Sequence, residues 1–208
     1  MIDGFDGGAD MPPAGGSTPA DAAQASISAP ADSAQADEVG SGMPDGTGLP
    51  IRSKTVSWQD PHALAAAGRT LSGLEFIGGM ARRELPAPPI AELFGMTIES
   101  VQPGDVVFRC EPDESTYNPI GVVHGGLACI LLDTVAGCAV HTTLAAGVGY
   151  TSLEIKVNYL RPIHGGTVLI AHGWVTKPGR RVAFAEGDIR DPEGRILATA
   201  SSSCLIMG

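Results

Sequence analysis

The sequence predicts an α+β fold: a curved antiparallel sheet of about six strands wrapped around one long helix. Three observations carry this. The run from about Gly125 to Leu144 is helical and apolar almost all round, and a helix without a polar face is buried on every side. Four longer strand-like runs follow it, joined by short connections that make them antiparallel. Two shorter strand candidates precede it and are expected to join the same sheet.

The elements follow in order. Asp60-Pro61 caps a short helix that ends at Gly68. Ser72 to Arg83 is a second short helix, expected to be interrupted at Gly78-Gly79, and Ile90 to Phe94 forms one more helical turn. Together, residues 56–94 read as short helices capping an opening of the core. After Gly95 the period becomes that of strands, with Met96 to Val101 and Val106 to Cys110 flanking a Pro103-Gly104-Asp105 turn. The loop Tyr117 to Gly121 leads into the long helix, which Gly147 is expected to close. Strands are then predicted over about 150–160, 167–176, 181–190 and 195–206. The last two are joined by Asp191-Pro192-Glu193-Gly194, a strong turn signal. One sheet curled around one helix, over 95–208, is the hotdog fold.

Charge is unevenly spread over the 208 residues. The formal net charge is −10, but residues 1–50 hold eight acids and no Lys or Arg, with nine Gly and six Pro. Such a segment buries too little apolar surface to offset its ordering entropy, so 1–55 is expected to be a disordered acidic tail. The remainder is nearly neutral. A basic face for nucleic acid is absent. The longest apolar run, Leu127 to Val140, is interrupted by Asp133 and falls short of the ~20 residues that span a bilayer. No secretory leader is evident, and the four cysteines (Cys110, Cys129, Cys138, Cys204) include no CxxC pair. They read as buried free thiols of a cytoplasmic protein.

Two features carry chemistry. Gly125-Gly126 opens the long helix, where unpaired N–H groups and partial positive charge gather. Glycine lets a carbonyl approach them closely, as an oxyanion hole for acyl transfer requires; a tight loop-to-helix entry would use the same glycines. Asp133 is a lone carboxylate in an apolar helix, with no Lys or Arg within a turn. Such a group is costly unless it is paired or has work to do, and Thr134 or Thr151 could serve as its partner. His124 and Asp133 are nine positions apart, about 13.5 Å along the axis on roughly opposite faces. One helix cannot bring both ends to one small group. If both act in one site, a second copy of the chain must supply one of them, which predicts a homodimer or a dimer of dimers.

The set Asn118-x5-His124-Gly125-Gly126-x6-Asp133 resembles the hotdog acyl-CoA thioesterases of the phenylacetate-degradation type. So do Gly149 to Pro162, with its Asn158-Tyr159-Leu160-Arg161-Pro162 ending, and Gly179-Arg180-Arg181-Val182 with Asp191 to Arg195. The resemblance covers about residues 71–206. It implies that Asp133 acts as general base or nucleophile on the thioester and that the Gly125 N–H polarises its carbonyl. Asn118 and His124 would hold the carbonyl or the loop around it. A hydroxyl at the start of the next strand would orient water. Counting on from the helix gives Thr151, counting back from Arg161-Pro162 gives Ser152, and the alternatives stay open. Arg161, Arg180 and Arg181 are candidates for the phosphates of coenzyme A, which is part of the substrate and not a cofactor.

The chemistry needs no metal. The five histidines show no HxH or HExxH spacing, and no GxSxG elbow is present. Two rival readings use the same fold: a non-catalytic acyl-CoA-binding protein, and an enoyl-CoA hydratase pairing Asp133 with His141.

Overall fold

The first helix, α1 (Pro61–Gly68), starts where Asp60 accepts a hydrogen bond from the His62 N–H at 2.8 Å. The second, α2 (Gly73–Ala81), opens with a capping box in which Ser72 and Glu75 satisfy each other's backbone N–H. A third turn, α3 (Pro89–Phe94), ends at Gly95 in the left-handed conformation. A computed structural model of the chain describes residue 46 and residues 48–208, and 53–208 form one compact unit. Most of the expected acidic tail, 1–55, lies outside the described residues.

The expected break at Gly78-Gly79 does not occur; α2 runs through both. Glycine costs roughly 1 kcal/mol per helical position, but both glycines are buried, and a side chain at Gly79 would sit 3.0 Å from Leu85. Close packing wins over propensity. From this helix Ile77 enters the main core alongside Ala91 of α3.

The sheet comprises β1 (Thr97–Gln102), β2 (Asp105–Cys110), β3 (Gly149–Tyr159), β4 (Leu169–Lys177), β5 (Val182–Arg190) and β6 (Ile196–Met207). All neighbours are antiparallel, in the order β1-β2-β4-β5-β6-β3. Although β3 and β4 are consecutive, they are not adjacent. Residues 160–168 carry the chain from one edge to the interior of the sheet, so β3 is an edge strand bonded to β6 alone.

The long helix α4 (Gly125–His141) lies against β2 to β6, and none of its residues is fully exposed. It ends at His141, before the predicted Leu144: Thr142 is the C-cap, and the N–H groups of Thr143 and Leu144 bond only three residues back, to Val140 O and His141 O. Leu131, Leu132 and Val135 are wholly buried, as are Val106, Leu169 and Ile189 of the sheet. The helix sinks into a notch made by the cross-strand pair Gly173 and Gly187. A Cβ at Gly173 would lie 2.4 Å from the Val135 carbonyl. The notch fixes how deeply the helix segment carrying Asp133 sits. Among the described residues no helix is long and apolar enough to cross a membrane.

Candidate active site

The entrance to α4 is built by a closed loop. The Asn118 N–H donates to Val122 O at 2.8 Å, and Gly121, at φ 78°, donates back to Asn118 O. The Asn118 carboxamide oxygen accepts from the N–H groups of Ile120 and Val122. Asn118 thus shapes the loop from inside. His124 is the N-cap, its Nδ1 accepting from the Gly126 N–H at 2.8 Å. This bond puts the ring proton of the neutral imidazole on Nε2. The Gly125 N–H has no acceptor among the described residues. It is left over at the positive end of a 17-residue helix.

Gly125 borders a cavity of about 400 Å³ with Val123, Ala128, Tyr159, Arg161 and Ile163 among its walls. Asp133 borders a different cavity, of about 340 Å³, shared with Cys129, Ile130, Ser152, Leu153 and Ile155. The chain does not bring the two features together, in keeping with the eight residues, about 12 Å, between them along α4.

The partner of Asp133 is Ser152, whose hydroxyl donates to Oδ1 at 2.8 Å. Thr134 is spent on the Ile130 carbonyl. A β-bulge decides between Ser152 and Thr151. Ser152 pairs with Cys204 and Glu154 with Ser203, so Leu153 is an extra residue in β3. Strict alternation counted back from Ile155 and Val157 would turn Thr151 toward the helix. The extra residue reverses the parity, so Ser152, paired with buried Cys204, turns its hydroxyl to Asp133, while Thr151 pairs with Leu205 and does not. The cue in the sequence was Arg161-Pro162, which counts back to Ser152.

The helix beyond Asp133 is tightly packed. Burial pushes the Cys138 thiol up to about 12, and the Asp133 carboxylate adds to the shift. The Tyr150 ring packs over Gly137, where a Cβ would meet its hydroxyl at 2.4 Å. The Tyr150 ring also meets His141 at a tilt, with centroids 5.5 Å apart, and His141 meets Phe76 in the same way at 5.7 Å. Burial pulls the His141 imidazole below its ordinary range. This aromatic column closes the far end of α4 and holds His141 within it.

The arginines fall at opposite ends of the sheet. Arg161 lines the Gly125 cavity and donates to the Ile196 carbonyl. Arg180 and Arg181 are exposed on the β4–β5 hairpin, beside the start of β3 through the Val182, Leu205 and Thr151 register. Among the described residues no cluster of His, Cys, Asp and Glu could hold a metal ion.

Comparison with known proteins adds independent support. Residues 120–198 match the Thioesterase superfamily model. The chain is 29% identical over 104 residues to human acyl-coenzyme A thioesterase 13, covering 50% of this chain and 74% of that protein. It is 32% identical over 108 residues to an esterase of Halobacterium salinarum, covering 50% of this chain and 70% of the relative. A crystal structure of a phenylacetic acid degradation-related thioesterase from Ralstonia eutropha superposes with a TM-score of 0.58 at 29% identity, over 62% of this chain and 98% of that one. With its curved six-stranded sheet and central helix, the chain belongs to the thioesterase superfamily, a family of thioester hydrolases of the hotdog fold.

Proposed function

We propose that the protein hydrolyses an acyl-CoA thioester to the free acid and CoA at sites shared between two copies of the chain. The observation that carries this is the separation of one reactive set into two cavities on one helix, next to an unpaired sheet edge. Ser152, near the start of β3, holds Asp133. Tyr159, at its end, lies over Gly125. Antiparallel pairing of β3 with the β3 of a second copy would set the start of one strand beside the end of the other. Each Asp133 would then approach the partner copy's helix entrance. An eleven-residue edge strand is a ready template for such pairing.

In the chemistry we assign, Asp133 takes a proton from water as the water oxygen attacks the thioester carbonyl carbon. The Gly125 N–H donates to the developing oxyanion. Collapse breaks the C–S bond, and the proton held by Asp133 passes to the leaving thiolate. Ser152 orients the carboxylate and the water. Asn118 and His124 act indirectly, by holding the loop and the helix cap that present the Gly125 N–H. Arg161 of one copy and Arg180 and Arg181 of the other would flank the same site and suit the phosphates of CoA. Human acyl-coenzyme A thioesterase 13, by its name, supports the substrate class.

The test is free-thiol release from a panel of acyl-CoA thioesters, followed by subunit mixing. Asp133→Asn and the double variant Gly125→Pro/Tyr159→Ala, in which the shortened Tyr159 gives the proline ring room, are each expected to be inactive. Proline is tolerated at the first helical position and deletes the N–H. Half of the dimers in an equal mixture are mixed, and each holds one intact site, so about a quarter of wild-type activity should return. No recovery after exchange would place both groups within one chain. Acyl-CoA binding without thiol release would favour a non-catalytic binding protein.

A further inference from the structure

The cavity at the start of α4 has more definition than a donor N–H requires. Its deeper walls are Val123, Ala128, Ile163 and Ala198, all buried and apolar. This buried part suits hydrocarbon, while the exposed Arg161 of the same cavity is left to the polar CoA moiety. Gly125 is one of its walls, so an acyl group whose carbonyl is bonded to the Gly125 N–H would lie beside these residues. Tyr159 closes this approach. A Cβ placed on Gly125 would meet the ring at 3.2 Å (Cε1) and 3.4 Å (Cζ), which is tighter than ordinary van der Waals contact. The ring therefore lies close over Gly125, and a carbon placed there would have to push it aside. Beyond it the walls become small: Ala128 lies one helical turn deeper, and Ala198 is the cross-strand partner of Tyr159. The cavity is therefore narrow at the carbonyl and wider further in.

Resting on the acyl-CoA reading above, we propose that this cavity takes the acyl group and that the Tyr159 ring is a specificity-determining wall. It selects acyl chains unbranched at the carbon next to the carbonyl. The phenol hydroxyl is not required; the width of the ring is. Excluding one methyl group from such a neck corresponds to roughly a tenfold or greater preference.

The pair butyryl-CoA and isobutyryl-CoA isolates this effect, because the two acyl groups have the same atoms and differ only in branching. Wild-type protein is expected to favour butyryl-CoA in kcat/KM by about tenfold or more. Tyr159→Ala should bring the ratio to within about threefold, by raising turnover of the branched substrate, while Tyr159→Phe should keep the wild-type ratio. At 58% exposure, Tyr159 sits on the rim and its truncation spares the core. The same comparison is made by calorimetry with the ketone analogues 2-oxopentyl-CoA and 3-methyl-2-oxobutyl-CoA, whose carbonyl cannot be hydrolysed. Discrimination in binding that Tyr159→Ala erases would support the wall even if no thioester were cleaved, in which case the hydrolytic reading alone would fail. A wild-type protein indifferent to branching, an unchanged ratio in Tyr159→Ala, or a ratio lost in Tyr159→Phe would each overturn the proposal.

Discussion

The two working regions of α4 are built on different principles. At the entrance the reactive group is a backbone N–H, presented by a loop whose polar side chains are spent on shaping it: Asn118 on Ile120 and Val122, His124 on Gly126. Eight residues on, the reactive group is a side chain, Asp133, held from outside its own helix by Ser152 across a bulged strand. The entrance is local, made within residues 116–126. The carboxylate site depends on contacts distant in sequence, with β3 and the glycine notch of β4 and β5. A local device tolerates changes elsewhere in the fold; a site assembled from distant strands depends on each register being right.

Breaking the carboxylate half should have the largest effect. Asp133→Asn keeps the shape and removes the base, and kcat for acyl-CoA hydrolysis should fall by roughly 10²–10⁴. Circular dichroism should be unchanged. Turnover near wild type would remove Asp133 from the reaction.

The bulge is tested next by a matched pair. Ser152→Ala removes a hydrogen bond to a charged group, commonly worth about 1.5–3 kcal/mol, and should lower kcat by roughly 10–100-fold. Thr151→Ala, on the outward face, should stay within about twofold. The reverse ranking in steady-state kinetics would mean that the strand lacks its extra residue in solution.

At the entrance, His124→Ala deletes the N-cap and should destabilise the fold by about 0.5–2 kcal/mol in urea unfolding. The Asp133–Ser152 pair should remain intact, so kcat should fall less than in Ser152→Ala. A larger loss would show that the His124 Nε2–H touches the substrate directly.

The smallest effect concerns pH. Burial holds His141 below its ordinary range, so the unfolded chain binds a proton that the folded one resists. The contribution is fully present above the unfolded value near 6.5. It is lost as pH falls from there through the depressed folded value. His141→Phe, which keeps a ring between Phe76 and Tyr150, should flatten the dependence of unfolding free energy on pH below about 6.5. An equally steep slope in that variant would assign it to other groups.

Much of this organisation was legible before any coordinates. The turn at Asp191 to Gly194, the Asp60 cap and the shift from helical to alternating pattern after Gly95 are local signals. The helix without a polar face dictated its own burial. Asp133 stood out because an unpaired carboxylate is expensive where everything around it is apolar. The choice between Thr151 and Ser152 was not legible, because alternation assumes a regular strand and the bulge at Leu153 is defined only by pairing with β6.

The sequence alone therefore determined the element order, the single buried helix, the special loop before it and the carboxylate within it, since each is encoded by neighbours along the chain. Tertiary structure decided which edge β3 occupies, which hydroxyl meets Asp133, how deeply α4 settles onto Gly173, and that Tyr159 narrows the space beside Gly125. Those outcomes depend on partners dozens of residues away, whose register and close approach no local pattern records.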